Sequence, residues 1–182
     1  MPYDAPPDLA AMSLGDIADA LAARRLPPVD QWQPEKTIDS HMTIAADGTW
    51  LHEGSPIARK AMVRAFASLL VRDEDGQYWL MTPHVRHSIA VEDAAFRAVD
   101  VQRKEDTLVF RLATDEFVVA DATHPLRASG PADLPAIYLT VRHGCEARID
   151  RSTWLQLVEL ADIENDVPVV VSRGTRFALV PE

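Results

Sequence analysis

The sequence predicts an α+β protein in which a β-hairpin–helix–β-hairpin unit occurs twice, with antiparallel sheets. Three observations carry this reading. Asp47-Gly48 sits between two β-prone runs, a short-range hairpin signal. Two amphipathic stretches follow hairpin-like segments and enter through the same pattern, Ile57-Ala58-Arg59 and Ile149-Asp150-Arg151. Between and after them lie short alternating apolar runs punctuated by Gly, Asp and Asn.

Residues Met1–Ser13 carry Pro2, Pro6 and Pro7 and read as a loose arm. Ser13 is placed to cap a helix through about Arg25, with Leu14, Ile17, Ala18 and Leu21 on one face; Pro27 and Pro28 end it. An extended segment through Trp32 and Pro34 leads into the first hairpin. A two-residue type I′ turn at Asp47-Gly48 pairs Ala45 with Trp50, Ile44 with Leu51 and Thr43 with His52. Ser55 then suits an N-cap and Pro56 the first helical position. The helix they open carries an apolar stripe of Ala58, Ala61, Met62, Ala65, Phe66, Leu69 and Leu70.

Asp73–Gly76 reads as a turn, and strands are expected at Tyr78–Thr82, His87–Glu92, Phe96–Arg103, Thr107–Leu112 and Glu116–Asp121. The Pro-, Ala- and Gly-rich stretch Ala122–Pro135 reads as a loop. Beyond it, Ala136–Asp150 forms a second hairpin turning at His143-Gly144-Cys145, and Asp150 caps a helix to about Asp162. Strands at Val167–Ser172 and Arg176–Val180 follow. The expected organisation is an arm and short helix in residues 1–35, an α+β unit in 36–94 and a second in 95–182.

The net charge of −10 disfavours a nucleic-acid polymer or an anionic membrane face, since both repel it at long range. A small anionic ligand stays open, because a local arginine cluster overrides the mean field at contact distance. Cys145 is the single cysteine, which excludes an internal disulfide and an all-cysteine metal site. The start lacks the basic and apolar regions of a signal peptide, and nothing approaches 18 consecutive apolar residues. A soluble, cytoplasmic protein is the expectation.

The stretches Trp32-x-Pro34, Ile38-Asp39, Asp47-Gly48-Thr49-Trp50, Gly54-x-Pro56-Ile57-x-Arg59 and Val63-Arg64-x-Phe66 resemble a bacterial domain-of-unknown-function family, number 1285. Thr82-Pro83, Glu92-Asp93, Asp121-Ala122-x-His124-Pro125-Leu126-Arg127 and Val141-Arg142-x-Gly144-x-Glu146-Ala147-Arg148-Ile149-x-Arg151 extend the likeness over nearly the whole chain. The resemblance implies a duplicated core whose C-terminal half looks superficially pleckstrin-homology-like. It also implies a nucleotide-like ligand held where the halves meet, in a signalling role, with no established activity. The chain departs from the family's pattern at Val171–Gly174, so nothing is carried onto Arg173.

The polar face of the second hairpin is the first candidate site. A turn at His143–Cys145 sets Arg142 opposite Glu146, Thr140 opposite Arg148 and Tyr138 opposite Asp150, and two guanidiniums beside a phenol suit a phosphate or carboxylate. The ordinary alternative is a solvated face with surface ion pairs worth roughly 0–1 kcal/mol each. The second candidate is the start of the first unit's helix, where Arg59, Lys60 and Arg64 oppose the macrodipole unless an anion docks behind Gly54 and Ser55. The alternative there is pairing with surface acids.

His84 and His87 lack a third ligand, and positions three apart on a strand face opposite ways, so no metal is expected. His124, in the loop between units, binds a ligand or only ties that loop down. Asp73-Glu74-Asp75-Gly76 lacks the later ligands of a calcium loop. Trp32, Trp50, Trp79 and Trp154 read as core anchors.

The leading expectation is a binding or sensory protein holding a small anionic, nucleotide-like ligand between its halves. Arg142, Arg148 and Arg127 take the anion, and Arg59, Arg151, Glu146 and His124 shape the cleft. No cofactor and no catalytic residue is expected. Two rivals stay open: a hydrolase using Glu146 or His124 as acid/base, and a protein-interaction module with an exposed apolar patch or free sheet edge.

Overall fold

Residues 7–182 are described in this computed structural model. The first helix, α1 (Leu14–Ala23), opens on a reciprocal capping box in which the Asp16 amide donates to Ser13 Oγ and the Ser13 amide donates to Asp16. Then follow β1 (Lys36–Ile44), β2 (Trp50–His52), β3 (Ser55–Pro56), α2 (Lys60–Ala67), β4 (Leu70–Arg72), β5 (Tyr78–Met81) and β6 (Val85–Val91). The remaining elements are β7 (Phe96–Lys104), β8 (Thr107–Leu112), β9 (Phe117–Val119), β10 (Leu126–Ser129), β11 (Ala136–Arg142), β12 (Cys145–Ile149), α3 (Arg151–Glu159), β13 (Asp162–Glu164), β14 (Val167–Ser172) and β15 (Thr175–Ala178).

The class is α+β. Two six-stranded sheets, ordered β3-β2-β1-β6-β5-β4 and β10-β11-β12-β7-β8-β9, fit a duplicated core, and β13-β14-β15 form a third, smaller sheet. The order hairpin, helix, hairpin recurs as β1/β2, α2, β4/β5 and as β11/β12, α3, β13/β14. The first sheet is mixed, since β1 pairs with β6 in parallel.

The chain divides into two compact units. One comprises Arg25–Arg97 with Thr140–Arg148, and the other holds the described residues up to Arg24 with Ala98–Leu139 and Ile149–Glu182.

In the unit of Arg25–Arg97 and Thr140–Arg148, the first hairpin departs from the two-residue turn expected at Asp47-Gly48. Gly48 N–H donates to the Ala45 carbonyl at 2.9 Å, and Ala45 N–H donates to Thr49 at 2.8 Å. Only Gly48 takes a positive φ, of 89°, while Asp47 does not, so a type I turn closes on a glycine bulge. The register slips by one: Ile44 faces Trp50 and Thr43 faces Leu51, which buries Trp50 against a stacked Phe66.

The two-residue turn lies further on, at Glu53-Gly54, where φ is +50° and +82°. It pairs His52 with Ser55 and Leu51 with Pro56. Ser55 and Pro56 are therefore an edge strand, not the opening of the helix. The helix starts at Lys60 with Arg59 as its cap residue, so the anion site expected behind Gly54 and Ser55 has no helix terminus to supply it. Of the expected stripe, Met62 is 40% exposed while Leu70 is fully buried. Among the apolar residues buried in this unit are Met42, Ile44, Leu80, Ile89, Phe96, Val141, Cys145 and Ala147.

In the other unit, β8 is buried on both faces, with Leu108, Val109, Phe110 and Leu112 all at 0% exposure. Leu9 and Ile17 cover part of it, clustering with Val109, Phe117 and Val119. The expected loose arm is thus packed from Leu9 onward, because an apolar face at Leu9 and Ile17 finds an apolar strand; its first six residues lie outside the described ones. Buried Ser172 Oγ donates to the Ala120 carbonyl and accepts from Leu108 N–H. The stretch read as loop contains β10, paired along Leu126–Ser129 with β11.

Candidate functional site

The second hairpin turns on two residues, His143 and Gly144, both with positive φ, and β12 begins at Cys145. The three-residue turn expected from the sequence is thereby corrected, and Arg142 and Cys145 become the pair flanking the turn. The tight turn fits a specific neighbour: Arg72 N–H donates to the His143 carbonyl at 2.9 Å.

Within that unit, Arg142 and Arg148 contact protein groups. The Arg142 guanidinium lies 4.8 Å above the Phe96 ring and donates to the carbonyl of Ala67, the last residue of α2. A cation there complements the helix dipole. Arg148 pairs with Asp93 at 3.1 Å. Glu146 is half-buried on the same hairpin. Nearby, burial pushes the Tyr78 hydroxyl pKa up, against the pull of the Arg72 guanidinium 5.4 Å from its ring. Burial lowers the His143 pKa, with Arg142 acting in the same direction, and raises the Cys145 thiol to about 12.

The other expected residues divide between the units. Arg59 is exposed at the cap of α2. In the other unit, Arg127 stands 4.3 Å over the Tyr138 ring, and Arg151 is exposed at the first position of α3, behind the capping Asp150. Arg59 and Arg151, aligned by sequence, thus differ by one helical position. His124 closes a small turn with Asp121, whose carboxylate accepts from the His124 and Thr123 amides. Burial pushes Asp121 up, but the hydrogen bonds from Thr123 and His124 outweigh it and hold its pKa low.

A different constellation lines a shallow cavity of about 680 Å³, wide open to solvent, in the unit of Arg25–Arg97 and Thr140–Arg148. Its walls include Asp39, His41, Thr43, Glu53, Gln77, Tyr78 and Ser88, with Met42 and Ile89 among its apolar lining. The cavity borders an irregularity in the β1–β6 ladder: Asp39 pairs with Ser88 and Thr43 with Ala90, so three residues of β1 stand against one of β6.

The bulge is held firmly. Ser40 Oγ donates to the Ser88 carbonyl at 2.6 Å and accepts from Met42 N–H. His41, at φ +56°, donates its amide to Asp39, and its carbonyl accepts from Glu53 N–H at 2.9 Å. A positive φ at a residue with a Cβ costs free energy and persists only where its surroundings determine it. Asp39 Oδ2 lies 3.5 Å from His41 Nδ1.

This group was not singled out from the sequence, although Ile38-Asp39 belongs to the stretches that carry the family likeness. The available signal was local: Asp39-Ser40-His41 breaks the alternation that resumes at Met42-Thr43-Ile44. Among the described residues, no three His, Cys, Asp or Glu side chains converge as a metal ion requires.

An α+β chain with two related sheets and a polar cavity beside a bulged strand defines the class. The chain belongs to the DUF1285 family: the N-terminal domain, a domain of unknown function, matches residues 27–94, and the C-terminal domain of the family's proteins of unknown function matches residues 95–179. It is similar to a DUF1285 family protein from Silicibacter pomeroyi DSS-3, at 38% identity and a TM-score of 0.78, over 91% of this chain and 94% of that one. A DUF1285 family protein from Shewanella baltica OS155 shares the fold at 24% identity and a TM-score of 0.53, over 65% of this chain and 90% of that one. No curated protein matches the chain.

Proposed function

We propose that this protein binds a small polar molecule in the cavity beside the β1 bulge. The carrying observation is the bulge itself: four hydrogen bonds hold it, two of them made by the left-handed His41, and it borders an open cavity of small-molecule size. The binding role is that expected from the sequence, but the charge of the ligand changes. Two carboxylates, Asp39 and Glu53, line the cavity, and the Arg72 guanidinium stands over the ring of its wall residue Tyr78, so a ligand with an ammonium group or hydroxyls is favoured at the carboxylate end. Arg142 and Arg148 serve the fold in this reading, capping α2 and pairing with Asp93.

Catalysis is less well supported. Glu146 and His124, the residues expected to act as acid and base, do not line the cavity.

A thermal-shift panel separates the readings by charge, using glucosamine, putrescine and ethanolamine against ATP, phosphate and citrate. The amines are expected to raise Tm in the wild type and to lose that effect in Asp39→Asn/Glu53→Gln. Stabilisation by anions alone, unchanged in the double variant, would sink the proposal.

A further inference from the structure

Beside the cavity, the first half of β1 has one edge without a strand. β2 covers only Met42–Ile44, and among the described residues no strand pairs with Lys36–Asp39 on that side. All four residues are exposed, Ile38 to 50%.

The register fixes which backbone groups look outward. Lys36 N–H donates to the His84 carbonyl, as a parallel ladder requires of a residue paired with Val85. By alternation, Lys36 and Ile38 bond to β6, while the amides and carbonyls of Thr37 and Asp39 point to the open edge. The side chain of Asp39, a wall of the cavity, lies on the opposite face of the strand from Ile38.

We infer that the polar group the cavity takes is one basic side chain of an extended peptide segment, which continues the line of β2 along this edge and sets that side chain by Asp39 and Glu53. The inference rests on the binding role of the cavity and names its ligand class. Strand addition supplies main-chain hydrogen bonds, and alternate side chains supply selectivity. The residue opposite Asp39 shares its face and meets the carboxylates, so a Lys or Arg complements them. Its neighbours fall on the face of Ile38, where β-branched apolar residues pack. Opposite Thr37 a second cation is disfavoured, because Arg86 donates to Thr37 Oγ1 at 3.0 Å and lies over the Trp79 ring. The pattern is therefore a single basic residue flanked by apolar ones, Thr-Val-Lys-Val-Thr in its simplest form.

The test titrates acetyl-Thr-Val-Lys-Val-Thr-amide into the full ¹⁵N-labelled chain. The amides of Thr37 and Asp39 are expected to shift. N-methylation of the lysine nitrogen, which faces Asp39 across the ladder, should weaken binding by about tenfold. N-methylation of the following valine, whose amide faces away, should leave affinity unchanged. Asp39→Asn should remove the preference for lysine over glutamine at the centre. Unmoved Thr37 and Asp39 amides, or equal binding of both methylated peptides, would overturn the inference, as would saturation of the edge by a second copy of the chain in sedimentation. If the amines of the panel above bind while the peptide does not, this inference falls and the small-ligand reading stands; if neither binds, both fall.

Discussion

Arg142 and Cys145 flank the same two-residue turn, and their environments give each a measurable signature. Replacing Arg142 with Ala removes the stack on Phe96 and a charge-assisted hydrogen bond to the end of α2. A loss of about 1–3 kcal/mol is expected in urea unfolding, with no loss of amine binding at the cavity. A variant that keeps its stability would return Arg142 to the candidates for ligand contact. Cys145 is fully buried, and burial raises its thiol from 9.0 to about 12. In the unfolded chain the thiol ionises near its ordinary value, so above that pH the folded state binds more protons and stability falls as pH rises. The thiol's contribution is complete below about pH 9 and is lost towards pH 12. Cys145→Ala should flatten the alkaline limb of the stability–pH curve between those values, whereas an unchanged limb would show that the thiol does not titrate with unfolding.

At the scale of elements, turn geometry decides what a glycine is worth. Gly144 has φ +76°, and a Cβ there would lie 2.6 Å from the Arg72 carbonyl, a backbone atom that cannot step aside. Gly54, at φ +82°, has open space around the same position. Gly144→Ala should therefore cost roughly 2–4 kcal/mol and Gly54→Ala about 1–2 kcal/mol, measured as shifts of the urea midpoint at constant slope. Equal costs would mean that β4 does not bear on the turn.

The same turns explain what the sequence made legible. The Asp47-Gly48 signal located the first hairpin and alternation the second, and Ser13 and Asp150 marked two helix starts that the structure keeps. Turn length was not legible: Asp47-Gly48 suits either a two-residue turn or a type I turn with a glycine bulge, and burial of Trp50 selects the second. β10 was hidden in Leu126–Ser129 because its residues are exposed or half-buried after Leu126, so the strand rests on pairing with β11 rather than on a pattern of its own. The cavity was equally hidden, because it depends on a register shift between strands some fifty residues apart in sequence, which no local pattern encodes.

For the whole molecule, sequence order and compact units do not coincide. The family boundary separates residues 27–94 from 95–179, yet the unit containing the cavity is Arg25–Arg97 completed by Thr140–Arg148. The borrowed hairpin caps α2 through Arg142, pairs Arg148 with Asp93, seats β4 on its turn and buries Val141, Cys145 and Ala147. A fragment of residues 27–94 lacks all of these, and it exposes the apolar surface that the hairpin covers. With net stabilities of only about 5–15 kcal/mol for whole domains, that loss exceeds what a fragment of this size can absorb. The fragment should show no cooperative unfolding transition in urea and should bind a hydrophobic dye. Adding the hairpin back as a linked segment, with residues 140–148 joined by a flexible linker, should restore a sigmoidal transition. A cooperative transition in residues 27–94 alone would show that the sequence-contiguous segment is the folding unit and that the hairpin is only an accessory to it.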